Sequence, residues 1–327
     1  MTTDEQITER QCFFLDGRGG IYSGDNKLSF ESTPPPVWEN LDYRNPETYK
    51  ILVEDYAIDP AVADALCDED TRPRFFAHDN GMLIILRAIN LNPGSDPDDM
   101  ISLRIWIDEK KMISLEHRRL KAVAKLADSL ERGKGPKNLM QCFLLLSRYV
   151  ADVINDTVNG IIDRTDELEE KVIEIKEIND FSISGEITDL RRETISLRRY
   201  LAPMKDLFQN MQNEKHPLIT PRGKSAMREL SNDMAKALED LEYCREHITL
   251  YHEELQGKMS ISMNRIMYII SIFTAVFLPL GLLTGLLGIN VSGIPYADND
   301  FAFAAVCIIL IIIAAALLAI MKKLRWM

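Results

Sequence analysis

Two long apolar runs near the C-terminus constrain this chain more than any other feature of its sequence. Residues 266–287 and 301–321 contain no Asp, Glu, Lys, Arg or His. At about 1.5 Å per helical residue, each run is long enough to cross a hydrocarbon core of roughly 30 Å. The alternative, a buried helical hairpin in a soluble protein, is disfavoured because uncharged runs of this length are rare in soluble cores. The sequence therefore predicts two transmembrane helices.

Charges beside the two runs predict their orientation. Basic residues flank the pair on its outer sides, at Lys258, Arg265, Lys322, Lys323 and Arg325. The connecting segment, 288–300, carries charge only at Asp298 and Asp300. Because basic flanks stay in the cytoplasm, we expect both termini there, a periplasmic loop over 288–300 and a basic cytoplasmic tail over 322–327. Residues 1–11 are polar and lack the apolar core of a signal peptide.

Short strand-like and helix-like patterns alternate over residues 1–135. Strands are predicted at 11–15, 37–41, 74–77, 82–91, 101–107 and 112–115, the last two forming a hairpin. Helices are predicted at 46–57, 60–67 and 120–132, two of them opened by a proline. These patterns indicate an α+β cytoplasmic domain with a mixed sheet and flanking helices. No phosphate loop, nucleophile elbow or metalloprotease motif occurs in it, so the sequence does not predict an enzyme.

Residues 136–265 are helical in pattern. Apolar stripes at three- and four-residue steps predict a long helical hairpin over 136–219. Thr220-Pro221 is a typical helix start, and a stalk helix is predicted over 220–265. Its apolar positions, spaced like a coiled-coil seam, are Leu230, Met234, Ala237, Leu241, Cys244, Ile248, Tyr251 and Leu255. No breaker separates this seam from the first membrane span, so one continuous helix is expected from 221 to 287.

Charge and cysteine content exclude two classes of protein. The formal net charge of −12 argues against nucleic-acid binding, which needs clustered Lys and Arg. The five cysteines lack CxxC spacing, a pattern that predicts reduced thiols rather than a disulfide frame or a zinc finger.

One face of the first span differs from a lipid-facing surface. Small and polar residues follow one another there at three- and four-residue steps, at Asn264, Met267, Ser271, Thr274, Leu278, Gly281, Gly285 and Gly288. We call this set the stripe. It has two interpretations: pore lining in a ring of subunits, or close helix packing of the Gly-xxx-Gly type. Pro279 is expected to kink the helix.

The tail of the chain, from about Asn264 onward, resembles the CorA superfamily of divalent-cation transporters. The shared features are a proline in the first span, a Gly-x-Asn tripeptide at 288–290, a short loop containing Pro295 and a basic C-terminus. Ile289 departs from the usual Gly-Met-Asn. Four short sequence segments are similar to those of the bacterial zinc-transport branch ZntB: 288–295 (GINVSGIP), 41–46 (LDYRNP), 71–74 (TRPR) and 201–203 (LAP).

This resemblance implies a homopentamer in the bacterial inner membrane, with a pore lined by the first span and a mouth at Gly288, Ile289 and Asn290. Five Asn290 amides would hold a divalent ion through its hydration water. No cofactor is predicted, and the cargo is Zn²⁺ or another divalent cation such as Mg²⁺, Co²⁺, Ni²⁺ or Cd²⁺. Two alternatives stay open: a Mg²⁺ or Co²⁺ channel gated by cytoplasmic metal binding, and a membrane-tethered scaffold or signalling protein.

Charged residues outside the spans provide the remaining candidates. Asp298 and Asp300 would attract cations to the mouth, or are solvated loop residues. Asp240, Cys244 and His247 share a helix face and are either metal ligands or seam packing. The zinc branch is held to be proton-coupled, and neither span offers a carboxylate or an imidazole. By elimination, the candidate titrating groups are His247, His252, Asp298 and Asp300.

Overall fold

The computed structural model of the 327-residue chain describes residues 10–22, 34–69, 71–78, 80–95, 99–174, 181–289 and 301–323. The described residues fall into two compact units. The N-terminal unit ends at His252 and the C-terminal unit begins at Glu253. Asn290, Asp298 and Asp300 lie outside the described residues, so their predicted roles stay predictions.

The N-terminal unit is built on a six-stranded mixed sheet. Its strands are β1 (Gln11–Phe14), β2 (Val37–Asp42), β3 (Arg74–His78), β4 (Gly81–Ile89), β5 (Met100–Asp108) and β6 (Lys111–Glu116). They lie in the order β1-β2-β6-β5-β4-β3. β2 and β6 pair in parallel, and the other neighbours pair antiparallel. The predicted hairpin of β5 and β6 is confirmed, with Ile107 opposite Met112.

Two short helices pack against this sheet. α1 (Pro46–Lys50) runs into a π-helical turn at Ile51–Asp55, and α2 (Pro60–Cys67) follows. Asn45 and Asp59 cap α1 and α2 with their side chains. The apolar core between these helices and the sheet consists of Leu41, Leu52, Ile58, Val62, Ala63, Leu66, Leu83, Ile85, Trp106, Ile113 and Leu115.

Longer helices complete the N-terminal unit. They are α3 (Lys121–Glu131), α4 (Leu139–Glu174) and α5 (Phe181–Asn213), and α4 and α5 both contact β4. Lys171 of α4 pairs with Glu186 of α5 at 2.8 Å, and Arg164 pairs with Glu193. Lys171, the later of the two residues on α4, pairs with the earlier of the two residues on α5. The two helices therefore run antiparallel, and the predicted hairpin is confirmed.

The sixth helix, α6 (Pro221–Leu287), is continuous through Pro279, as predicted. The Thr220 hydroxyl caps its start by accepting from the Gly223 amide at 3.1 Å. All eight seam positions are buried within a single chain. On the flanks, Arg148 of α4 contacts Asp233 at 2.5 Å, and the Ser231 hydroxyl donates to the Lys205 carbonyl of α5. The seam is therefore filled by the chain's own helices, and it gives no evidence for association between subunits.

The C-terminal unit contains the end of α6 and α7 (Ala302–Lys323). Both helices are long and apolar enough to cross a membrane. Their apolar side chains are largely exposed: Leu278 is 72% exposed and Phe303 is 82% exposed. The predicted span 266–287 lies within α6, and α7 matches the predicted span 301–321 to within two residues.

Candidate pore face and stalk residues

The stripe follows the membrane-spanning part of α6 and ends at Gly288, one residue beyond the helix. Every one of its members is exposed in the single chain, Met267 at 60% and Leu278 at 72%. Since the span 266–287 has no charged side chain, the polar groups of the stripe within it are neutral. The face can therefore contact a neighbouring helix or line an aqueous lumen.

Two hydroxyls in the stripe make local hydrogen bonds. Ser271 Oγ donates to the Met267 carbonyl at 2.8 Å, and Thr274 Oγ1 donates to the Ile270 carbonyl at 2.9 Å. With the single proton of each hydroxyl used in this way, the oxygen lone pairs remain available as acceptors. The water shell of a metal cation presents hydrogen-bond donors, so these oxygens are suited to contact a hydrated cation.

The sequence reasoning missed one further hydroxyl at the end of α6. Thr284 Oγ1 donates to the carbonyls of Leu280 and Gly281, at 3.0 and 3.1 Å. Thr284 is three residues after Gly281 and four before Gly288, so it is a neighbour of both on the helix surface. This spacing could have predicted Thr284 as a further residue beside the stripe. It flanks the stripe close to the predicted mouth.

The glycines of the stripe differ in their local surroundings. A Cβ added at Gly281 or Gly285 would meet nothing within 4 Å, so packing within one chain does not require glycine there. At Gly288, a Cβ would lie 3.1 Å from the Thr284 carbonyl oxygen, and the Gly288 amide donates to that oxygen at 2.9 Å. Ile289, the other described residue of the predicted mouth, is 50% exposed.

The predicted metal site at Asp240, Cys244 and His247 is not formed within the chain. Across the described ranges, no group of three or more His, Cys, Asp or Glu side chains could hold a metal ion. Cys244 is fully buried, and burial raises the pKa of its thiol, with Thr165 as its hydrogen-bond partner. Within one chain, the burial of Cys244 favours the alternative of seam packing, and metal binding by these three residues stays a prediction.

His247 belongs instead to a polar network between α6 and α4. Its Nδ1 lies 2.9 Å from the Tyr251 hydroxyl, and its ring lies 4.2 Å from that of Tyr243. Tyr251 is buried and hydrogen-bonds to Glu169, and burial followed by this contact raises the pKa of Tyr251. The His247 imidazole is thus linked to the Glu169 carboxylate through the Tyr251 phenol, in the N-terminal unit and outside both spans.

Comparisons with known proteins agree over almost the whole chain. Residues 36–323 match the family model described as CorA-like Mg²⁺ transporter protein. The chain is 36% identical to the divalent cation transporter CmaX of Pseudomonas aeruginosa, covering 96% of each chain. It is 32% identical to the zinc transport protein ZntB of Pectobacterium atrosepticum, covering 97% of this chain and 95% of that protein. The solved structure of full-length CmaX matches with a TM-score of 0.82 at 34% identity, covering 100% of this chain and 99% of that one.

Proposed function

Because the chain belongs to the CorA-like family of Mg²⁺ transporter proteins, we propose that it carries Zn²⁺ through a homopentameric pore lined by the stripe of α6. Transport of divalent cations is the activity of the family, and the chain is a transporter and not an enzyme. We propose three further points: the transported ion is Zn²⁺, the protein is a homopentamer, and the stripe lines its pore. Its setting is the bacterial inner membrane, with both termini in the cytoplasm.

The observation that carries the proposal is the exposed, uncharged stripe with outward-facing hydroxyl oxygens. Two helices cannot enclose a lumen, so a pore requires several copies of α6 around one axis. In such a ring, Ser271 and Thr274 would present layers of neutral oxygen acceptors. A hydrated cation can pass from one layer to the next because no single layer binds it tightly enough to hold it.

The chemistry of the stripe also limits selectivity. Zinc prefers imidazole, thiolate and carboxylate ligands, and the sequence of the stripe contains none of these. Zn²⁺ would therefore pass with its water shell, and other hydrated divalent ions would compete. The resemblance to zinc transport proteins supports zinc, whereas a face without imidazole, thiolate or carboxylate supports a second candidate, a Mg²⁺ or Co²⁺ channel of the same architecture.

Asn290 completes the proposed pore as a ring of five amides at the outer mouth, after Gly288 and Ile289. Asp298 and Asp300 would concentrate cations beside it. If transport is coupled to protons, the groups that exchange protons lie outside the spans, and the candidates are His247, His252, Asp298 and Asp300.

The test is metal influx into liposomes that contain the purified protein, with zinc- and magnesium-sensitive dyes in parallel arms. We expect zinc influx well above that of protein-free liposomes, and a change in rate when a proton gradient is imposed. Asn290→Leu should abolish influx, and Asn210→Leu, an exposed change on α5, should leave it intact. Light scattering of both variants should give the same pentamer mass.

Each other result contradicts a stated part of the proposal. Magnesium influx without zinc influx would contradict zinc as the transported ion and would favour the Mg²⁺ or Co²⁺ channel. Zinc influx that survives Asn290→Leu would remove the proposed mouth. Absence of any metal influx from a correctly assembled protein would favour the tethered scaffold.

A further inference from the structure

A polar cavity in the N-terminal unit has no role in the proposed transport pathway. Its volume is about 300 Å³. Besides Tyr43, the charged or titratable side chains on its lining are Arg44, Arg87, Arg118, His117, Glu69 and Asp99. Three arginines thus face two carboxylates, and positive charge is in excess along the described lining.

Arg87 is fixed in this cavity without a carboxylate partner among the described residues. It projects from β4, opposite Ser102 of β5, and Nη1 donates to the Met100 carbonyl at 3.1 Å. Nη2 donates to the carbonyl of Thr71, whose hydroxyl lies 2.7 Å from that of Ser102. Arg87 Nε is buried and has no hydrogen-bond partner in the part of the chain that the structure describes. The guanidinium is held in place, 5.0 Å from the centroid of the Tyr200 ring, and forms no ion pair with the residues that the structure describes.

A second guanidinium that forms no ion pair with the described residues lies beside the first. Arg104 is opposite Ile85 on β4, so it is a diagonal neighbour of Arg87 on the same face of the sheet. Its side chain is completely buried, and Nη2 donates to the Asp68 carbonyl at 2.5 Å, at the C-terminal end of α2. Nε and Nη1 have no partner among the described residues.

Tyr43 connects Arg104 to the cavity. The Arg104 guanidinium lies 3.5 Å from the centroid of the Tyr43 ring, and Tyr43 itself lines the cavity. Burial lowers the pKa of Arg104, and the charge of Arg87 acts in the same direction. Two adjacent buried cations that form no ion pair among the described residues are costly, because a buried charge needs a counter-charge or a full set of hydrogen bonds.

We propose that this cavity binds a phosphate-bearing anion, either inorganic phosphate or the phosphate group of a small ester. The planar fork of an arginine matches the oxygens of a phosphate in bidentate fashion, and Arg87 keeps Nε unused. Arg44 can close on the anion because its link to Glu69 is long, 3.6 Å, and exposed. Arg118, held by Asp99 at 2.7 Å, contributes to the positive field of the cavity.

The experiment measures binding of radiolabelled inorganic phosphate to the purified full-length protein by equilibrium dialysis in chloride buffer. We expect saturable binding that Arg87→Gln weakens by roughly tenfold or more, the range expected for a charge-assisted hydrogen bond. Arg44→Gln should weaken it severalfold. The matched control is Arg132→Gln, an exposed arginine on the surface that pairs with Asp128; it should bind like the unchanged chain.

Two results would overturn the proposal: binding no stronger than the chloride background, or saturable binding that neither Arg87→Gln nor Arg44→Gln weakens. Arg44 is half exposed, so its variant decides the matter if Arg87→Gln does not fold. Competition with glycerol 3-phosphate identifies the source of the phosphate. Displacement by glycerol 3-phosphate at a lower concentration than by unlabelled phosphate assigns an ester, and the reverse order assigns the free ion.

Discussion

The two compact units place the same residue types in opposite environments. In the N-terminal unit, Phe143 is completely buried and Phe208 is 1% exposed. In the C-terminal unit, Phe277 is 62% exposed and Phe303 is 82% exposed. The first unit therefore buries its apolar surface within one chain. The second leaves it for lipid or for other copies of the chain to cover, which is the condition for building a pore between subunits.

Polar groups show the same contrast. In the N-terminal unit, Trp38 donates to the Ser114 hydroxyl at 2.9 Å, Ser114 donates to Asn40 at 2.7 Å, and Asn40 donates to Glu116 at 2.9 Å. In the C-terminal unit, Ser271 donates to the Met267 carbonyl of its own helix at 2.8 Å. The buried polar groups of this chain of hydrogen bonds are committed to protein partners, whereas the hydroxyl oxygens of Ser271 and Thr274 remain available as acceptors.

Truncating one phenylalanine in each unit is the strongest way to break this comparison. Phe143→Ala should lower the free energy of unfolding by about 3–5 kcal/mol because it leaves a cavity in a packed core. Phe277→Ala should cost below about 1 kcal/mol because its ring is exposed. Denaturant unfolding of both variants in detergent provides the measurement. Equal losses would mean that Phe277 is packed as tightly as a core residue in the assembled protein.

A buried carboxyl gives the N-terminal unit a pH dependence that the uncharged span 266–287 should lack. Glu116 is 2% exposed and accepts hydrogen bonds from Asn40 and from the Leu120 amide. Burial raises the pKa of Glu116 from its ordinary 4.5 to about 7, although both hydrogen bonds and the charge of Arg119 oppose the rise; nearby Asp42 reinforces it.

Because this pKa is higher in the folded state, the contribution of Glu116 to stability is complete below pH 4.5 and is lost as the pH rises towards 7. The loss is on the order of 3 kcal/mol over that window. Glu116→Gln cannot ionise, so its free energy of unfolding should change less between pH 5 and pH 8 than that of the unchanged chain. Identical pH profiles would show that Glu116 ionises normally in the fold.

A pair of nearly isosteric exchanges sharpens the account of the stripe. Thr274→Val removes an acceptor from the stripe, and Val276→Thr adds a hydroxyl on a different side of α6, about 160° away at 100° per residue. We expect Thr274→Val to slow zinc influx about two- to tenfold, corresponding to roughly 0.4–1.4 kcal/mol in the barrier. Val276→Thr should leave influx unchanged. An equal effect of both exchanges would mean that the hydroxyl of Thr274 has no special position.

Local patterns in the sequence were sufficient for the elements of the fold. The helix predicted at 60–67 matches α2 at both ends, because Asp59 and Pro60 mark its start unambiguously. The strand order was not predictable in this way. The parallel pairing of β2 with β6 joins segments about seventy residues apart, and no local pattern encodes it.

The candidate site was predictable in part, for a physical reason that differs from residue to residue. Helical periodicity located Ser271 and Thr274 on one face, since spacing along a helix fixes direction. The same periodicity gave Asp240, Cys244 and His247 a shared face, but it could not show that Cys244 is fully buried within one chain, with Thr165 of α4 as its hydrogen-bond partner. Arg87 and Arg104 escaped notice because their proximity depends on the register of two strands.

The central claim is that the stripe faces a water-filled pathway, and cysteine accessibility tests it most directly. Ser271→Cys and Thr274→Cys would be compared with Ile269→Cys and Val276→Cys, and the unchanged chain would report any effect of its native thiols. Each protein in liposomes is treated with a charged, membrane-impermeant thiol reagent before zinc influx is measured. We predict that the reagent blocks influx at 271 and 274 and leaves it unchanged at 269 and 276. Block at 269 and 276 with none at 271 and 274 would contradict the account.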